Sequence, residues 1–201
     1  MVADTTAILQ QLGIDVHAYA ERIARASFEK GLVCLDISEN RQMIGQYPPE
    51  SEADVSLAAT ETERHTVRWM HEVYNRKMLG TIAKICAPTV QFHGPLMSEL
   101  YGVASVMHQT LGLIGSLPDA AFTPQHICSN PCEEGGEKVA VRWIMEGHHL
   151  GWGMMGAPTG HRIFLLGISH YHIVDNRVVE QWDVFDEMAM LTQIKLGAMR
   201  A

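Results

Sequence analysis

The sequence predicts an α+β protein: a cone-shaped, strongly curved antiparallel sheet packed on helices that precede it, with an extra helical arm at the N-terminus. Three observations carry that expectation. Helix-period segments fill the first half of the chain and strand-period segments most of the second, the order of a segregated α+β fold. Four strands follow one another across turns between about Phe122 and Phe185, and close neighbours of that kind pair antiparallel. Two further helical patterns, before about Lys30, stand behind a polar stretch that contains Pro48-Pro49. A bent sheet wrapped round helices leaves one end open, and so holds a pocket.

The elements are justified in order. Asp4 is placed to cap a short helix carrying Ala7, Ile8, Leu9 and Leu12, with Gly13 as its stop. A second helix spans about Val16 to Lys30, ended by Gly31. Residues 36–53 read as a linker, so residues 1–59 form an arm and linker and residues 60–201 the cone. Thr60 with Glu63 makes a capping-box signature for an amphipathic helix to about Lys77. A short helix from about Leu79 to Cys86 stops before Pro88; Thr89 to His93 reads as a strand, broken by Gly94-Pro95. Val103, Val106, Met107, Thr110, Leu111 and Ile114 place a helix over about 101–114. Strands follow at about 122–129, 138–149, 162–173 and 177–185, and a last helix at about 187–196. The segment VADTTAILQQL (2–12) also echoes VFDEMAMLTQI (184–194), as if the arm reuses the pattern of the last helix.

Length and composition bound the function. The chain has 201 residues, 47% hydrophobic and 19% charged, enough for one cored domain and an arm. Net charge is −8 and the Lys and Arg residues are scattered, which argues against nucleic-acid and membrane-surface partners. No apolar run reaches the ~18 residues of a spanning helix, and the N-terminus lacks the pattern of a secretory signal. Cys34, Cys86, Cys128 and Cys132 form no Cys-x-x-Cys pair, which suits reduced thiols and a cytoplasmic protein. Twelve Met residues suit an adaptable interior, as core filler or as a pocket lining.

The hairpin at 162–185 carries an unusual polar load: Ser169, His170, Tyr171, His172, Glu180, Gln181 and Asp183 lie in otherwise apolar strands. Ionisable groups there are costly unless paired, hydrated or used. Asp175-Asn176 is a turn signal. With the turn centred near Asn176, Asp183 lies across from Ser169 and Gln181 from Tyr171. Asp186, three residues before Ala189, reads as a helix cap. Asp183 has no such duty, and in an apolar cone its pKa rises, which suits taking and returning a proton.

Three segments together resemble the SnoaL-like polyketide cyclase group of the nuclear-transport-factor-2-like superfamily: VRWMHEVYNRKMLGTIAKICAPTVQFHGP (67–95), VAVRWIMEGHHLGWGMMGAPTGHRI (139–163), and the hairpin with its following helix. The resemblance covers about residues 60–197. It implies a cone with a deep pocket, a dimer, no cofactor, and acid/base chemistry on apolar, often ring-containing substrates. It places the acid/base carboxylate at Asp183 and expects a His where Ser169 stands. His170 would face inward only through a slip or bulge.

The reading is therefore a lyase or cyclase of aldol, retro-aldol or dehydration type, with an aromatic or polyketide-like substrate; isomerisation and aldehyde release from a lignin-like diol use the same parts. Asp183 is the expected acid/base group, with His93 or His170 as partner. Tyr171, Ser169, Tyr74, Tyr101, Trp143 and Arg142 are the expected substrate contacts. No metal is expected, because His170, His172 and Glu180 lack the spacing of a known ligand set. The alternative is a non-catalytic ligand-binding or dimerisation module.

Overall fold

A computed structural model describes residues 5–30, 51–95, 98–153 and 155–200. Asp4, Gly31, Cys34 and residues 36–50 of the expected linker lie outside the described residues. The elements are α1 (Thr5–Gln11), α2 (Val16–Glu29), α3 (Glu61–Met70), α4 (Gly80–Ile85), β1 (Cys86–Gly94), β2 (Ser98–Tyr101), α5 (Val103–Ser116), β3 (Ala121–Pro131), β4 (Glu137–His148), β5 (Arg162–Val174), β6 (Arg177–Phe185) and α6 (Glu187–Arg200). The strands form one curved sheet in the order β2-β1-β6-β5-β4-β3.

Local chemistry explains the boundaries. Thr60 Oγ1 accepts from Glu63 N–H, and the Glu63 carboxylate accepts from the backbone of Thr60, so the capping box closes as expected. Asp15 caps α2 by accepting from the N–H groups of His17 and Ala18, a cap overlooked in the sequence. Asp186 Oδ1 accepts from Ala189 N–H, the cap expected of it. The helix from Thr60 departs from expectation at His71, where it widens into a π turn over His71–Asn75. That turn brings three consecutive residues, Val73, Tyr74 and Asn75, into the interior. Gly197 does not end α6. A Cβ there would strike His161, so the glycine permits close packing inside the helix.

The sheet is antiparallel except for one ladder: β1 runs parallel to β6. That ladder is irregular between Cys86 and Gln91, where Pro88 has no N–H to donate. The core lies on the concave face. There Val90 and Phe92 of β1, Val139, Val141, Trp143 and Met145 of β4, and Ile163, Leu165, Tyr171 and Ile173 of β5 meet Val67, Met70, Val73, Tyr74, Ile82 and Ile85, closed off by Met190 and Ile194 of α6. The arm packs against the outer side of α6. Leu9, Val16 and the fully buried Ala20 cluster with Met188 and Leu191, and Thr6 donates to Glu187 Oε2. The small Ala20 and Ala24 let α2 approach α6 closely.

Asn75 stitches the helical layer to the sheet. Its Oδ1 accepts from Phe122 N–H at 2.7 Å and its Nδ2 donates to Phe122 O at 2.9 Å, while Asn75 itself is 5% exposed. Asn75→Ala leaves both buried backbone groups unpaired. The expected cost is about 2–4 kcal/mol in urea unfolding, with an unchanged m-value.

Candidate active site

The hairpin β5–β6 turns at Asp175-Asn176, both with positive φ (50° and 60°), as a two-residue primed turn requires. From there the pairing runs Val174↔Arg177 and Ile173↔Val178, then shifts: His172 pairs with Glu180, leaving Val179 as an extra residue. Beyond that bulge Tyr171 pairs with Gln181 and Ser169 with Asp183, the pairing the sequence expects. Side chains alternate across a strand, so Ser169, Tyr171, Gln181 and Asp183 share the concave face while His170, Glu180 and Trp182 share the convex one.

Asp183 is the one carboxylate whose pKa is held clearly high among the described residues. Its Oδ2 accepts from Gln181 Nε2 at 2.9 Å, and its Oδ1 is buried with no hydrogen-bond partner. Burial pushes its pKa up to about 6, while the Ser169 hydroxyl and the Gln181 amide pull the other way. Around it stand Tyr74 and Tyr171. Tyr171 is fully buried and its hydroxyl has no partner. Burial, then the Asp183 charge, raises the pKa of both phenols, so both stay protonated as donors.

Aromatic rings complete the surroundings. Tyr74 stacks on Phe122 at 4.8 Å, Phe122 tilts against Trp143 at 5.2 Å, and Trp69 meets Tyr171 edge-on at 5.0 Å. Trp143 Nε1 donates to Ser169 Oγ at 2.9 Å. Chemically this is a low-dielectric aromatic interior with one proton acceptor near neutral pH and a phenol donor beside it.

Four expected site residues, His93, His170, Arg142 and Tyr101, are not part of this interior, and neither is His172. His93 lies on the convex face: Nδ1 meets Glu99 Oε2 at 2.6 Å, Nε2 meets Glu180 Oε1 at 2.9 Å, and its ring stacks on Trp182. His170 is on the same face, tilted against Trp182; the bulge lies at Val179, beyond it, and does not turn it inward. His172 Nε2 donates to Gly135 O, so it does not converge with His170. Arg142 is exposed on the convex side of β4, opposite Trp143 in the alternation. Tyr101 ends β2 at the sheet edge and is 66% exposed. By contrast Tyr74, Trp143, Ser169, Tyr171 and Asp183 are brought together. The sequence reading missed Gln181 as the ligand of Asp183, although its period-2 spacing from Asp183 was the available signal.

The comparisons with known proteins follow the fold. The family model described as SnoaL-like polyketide cyclase matches residues 64–194. Solved structures with the same fold include a candidate polyketide cyclase from Acidithiobacillus ferrooxidans, 20% identical over 70% of this chain and 98% of that one, with a TM-score of 0.58. IdmH, a candidate polyketide cyclase from Streptomyces antibioticus, is 22% identical over 67% of this chain and 98% of its own, with a TM-score of 0.55. AclR, a candidate hydroxylase from Streptomyces galilaeus, is 25% identical over 70% and 87%, with a TM-score of 0.58. No curated protein matches the chain by sequence.

The raised pKa of Asp183 has a thermodynamic consequence. The folded state holds its proton to a higher pH than the unfolded state, so stability falls as pH rises through the interval from about 4 to about 6. Asp183→Asn removes that penalty. The variant is expected to be more stable than the parent above pH 6, by up to about 3 kcal/mol and so with a higher melting temperature, and to converge with it below about pH 4. Thermal melts across that range check the sign.

Proposed function

This chain belongs to the SnoaL-like polyketide cyclase family, and on that premise we propose that it is a cofactor-independent acid/base enzyme, a lyase or cyclase acting on an apolar aromatic or polyketide-like substrate in the cytoplasm. The observation that carries this reading is the placing of two buried polar atoms that make no direct hydrogen bond, Asp183 Oδ1 and the Tyr171 hydroxyl, in one aromatic interior with Ser169 beside both. Buried polar groups without partners are expensive, and they are kept where a ligand supplies the partner.

In this reading Asp183, as carboxylate, takes a proton from the carbon next to a carbonyl or phenol ring. The electron pair moves into that carbonyl, and Tyr171 donates a hydrogen bond to the developing oxyanion. The carbanion equivalent then adds to a second carbonyl, which closes a ring, or expels a β-oxygen as water; the reverse course releases an aldehyde. Protonated Asp183 returns its proton to the product oxygen or carbon. Tyr74, Phe122 and Trp143 supply flat walls for a ring. Ser169 steadies Asp183 and does not titrate, so one carboxylate does the work of acid and base in turn. His93 and His170 have no part in this scheme.

The direct test is proton abstraction itself. Wild-type protein is expected to speed hydrogen–deuterium exchange at the acidic C–H of an aromatic β-keto ester in D2O, followed by NMR, with a rate that rises through about pH 6. Asp183→Asn is expected to lose about 10²–10⁴-fold, and Tyr171→Phe about 10²-fold. Exchange by folded Asp183→Asn at the wild-type rate sinks the catalytic reading.

The same reading includes a homodimer. On the convex face, Ile144 pairs with Leu166 and Ile168 with Val184; Leu166 is 47% and Ile168 36% exposed. An apolar stripe of this kind suits a second copy of the sheet. Light scattering on the full chain is expected to give twice the monomer mass, and Leu166→Glu with Ile168→Glu to halve it.

A further inference from the structure

Trp143, Ser169 and Gly167 occupy the concave face next to Asp183, and the catalytic scheme above assigns none of them a chemical step. Their arrangement is nonetheless specific. Gly167 pairs with Trp143 across β4–β5. A Cβ on Gly167 would run into the six-membered ring of the Trp143 indole, so the ring lies flat over this position because nothing projects from it. Lying there, the indole N–H reaches two residues along β5 and donates to Ser169 Oγ at 2.9 Å. Ser169 is 2% exposed, and its cross-strand partner is Asp183.

A hydroxyl has one proton to give and lone pairs to accept with. The indole N–H can only donate, so it occupies an acceptor site of Ser169. The Ser169 proton is then left for the side away from the indole, where the Asp183 carboxylate across the strand pair and the Tyr171 phenol are its neighbours, and of the two the anion is the stronger acceptor. A hydroxyl that accepts one hydrogen bond becomes a better donor in the next. Gln181 Nε2 donates to the carboxylate at Oδ2. Oδ1 is left without a partner and is the atom available to a substrate.

We infer that Gly167, Trp143 and Ser169 form a relay of positioning residues that fixes the direction of the Asp183 carboxylate and sets the pH at which it changes between acid and base. Ser169 does not itself titrate, so the tuning falls to the indole behind it. The inference rests on Asp183 being the acid/base group for its meaning, but not for its test.

The titratable groups that sense Asp183 are Tyr74 on the π turn and Tyr171 on β5, with Cys86 of β1 beside them. Burial raises all three, Cys86 to about 11, so none changes charge while Asp183 titrates. A shift in the Asp183 midpoint therefore reports its hydrogen bonds and not a neighbour's ionisation.

The experiment follows the side-chain carboxyl 13C resonance of Asp183 against pH in labelled full-length protein, with Asp183→Asn to assign it. The wild-type midpoint is expected near pH 6. Ser169→Ala deletes the donor to the charged form and is expected to move the midpoint up by about one pH unit. Trp143→Phe keeps the ring but removes the indole N–H, and is expected to move it in the same direction by less. Gly167→Ala displaces the indole and is expected to match Trp143→Phe. Ser169→Thr, which keeps the hydroxyl, is expected to retain the wild-type midpoint, an outcome that a merely space-filling role for Ser169 does not predict.

A wild-type midpoint in Ser169→Ala overturns the inference. If that variant does not fold, a wild-type midpoint in both Trp143→Phe and Gly167→Ala overturns it instead. Should the midpoints shift while Asp183→Asn still exchanges deuterium at the wild-type rate, the relay stands and the acid/base reading falls.

Discussion

One extra residue in a strand governs the interior of this protein. The primed turn at Asp175-Asn176 sets the pairing at Ile173↔Val178, and on that register alone Ser169 would face Trp182. The bulge at Val179 advances β6 by one position, so that Asp183 and not Trp182 points into the concave face. Everything polar in this interior follows from that step. Gln181 lands beside Asp183 and opposite Tyr171. Trp182 is turned out to stack on His93, which is gripped between Glu99 and Glu180 on the convex side. A straight strand would set the Trp182 indole inside, opposite Ser169, and turn Asp183 to the convex face.

The buried carboxylate costs stability above its pKa, and the surrounding fold carries that cost. Its walls are large aromatic rings, packed by Trp69, Tyr74, Phe122 and Trp143. Rings exclude water, raise the carboxylate pKa by burial, and leave the Tyr171 hydroxyl without a protein partner. Two hydrogen-bonding neighbours, Ser169 and Gln181, limit the rise, so the group titrates near neutrality instead of remaining neutral. A strained balance of this kind, unfavourable to folding and useful to proton transfer, is what a working site commonly shows.

The arm belongs to the same economy of packing. α6 offers Met190 and Ile194 to the main core and Met188 and Leu191 to the arm, so both faces of one helix are buried. α1 and α2 supply the second cover, with Ala20 and Ala24 allowing close approach. The echo between the α1 and α6 sequences is then intelligible as two apolar helices of similar pattern meeting one another, with Thr6 and Glu187 joined across the contact. The sequence left open whether the arm folds onto its own domain; here it lies on its own α6.

The sequence alone determined the local features, because local rules decide them. The capping box at Thr60, the cap at Asp186, the turn at Asp175-Asn176 and the long strands of β3 to β6 are each written within a few neighbouring residues. The cross-strand pairing of Asp183 with Ser169 agrees with a turn centred near Asn176, although the chain reaches it by a two-residue turn and a bulge at Val179 that the sequence did not reveal. What only the tertiary structure decided depends on residues far apart in the chain. The parallel ladder of β1 with β6, the edge strand β2, and the π turn that swings Tyr74 and Asn75 inward have no local signature. Neither does the face of a strand: His93, Arg142 and His170 are sited by which side of the sheet the helices cover, and Tyr101 by an edge the sequence did not reveal. The hairpin carboxylate and its neighbours Ser169, Tyr171, Tyr74 and Trp143 were therefore nameable from the sequence, while the contacts that join them, and the place of Gln181 among them, were not. Trp143 reaches Ser169 across β4 and β5, and Tyr74 comes to Asp183 from a helix more than a hundred residues earlier, contacts that exist only once the sheet has curved round its helices.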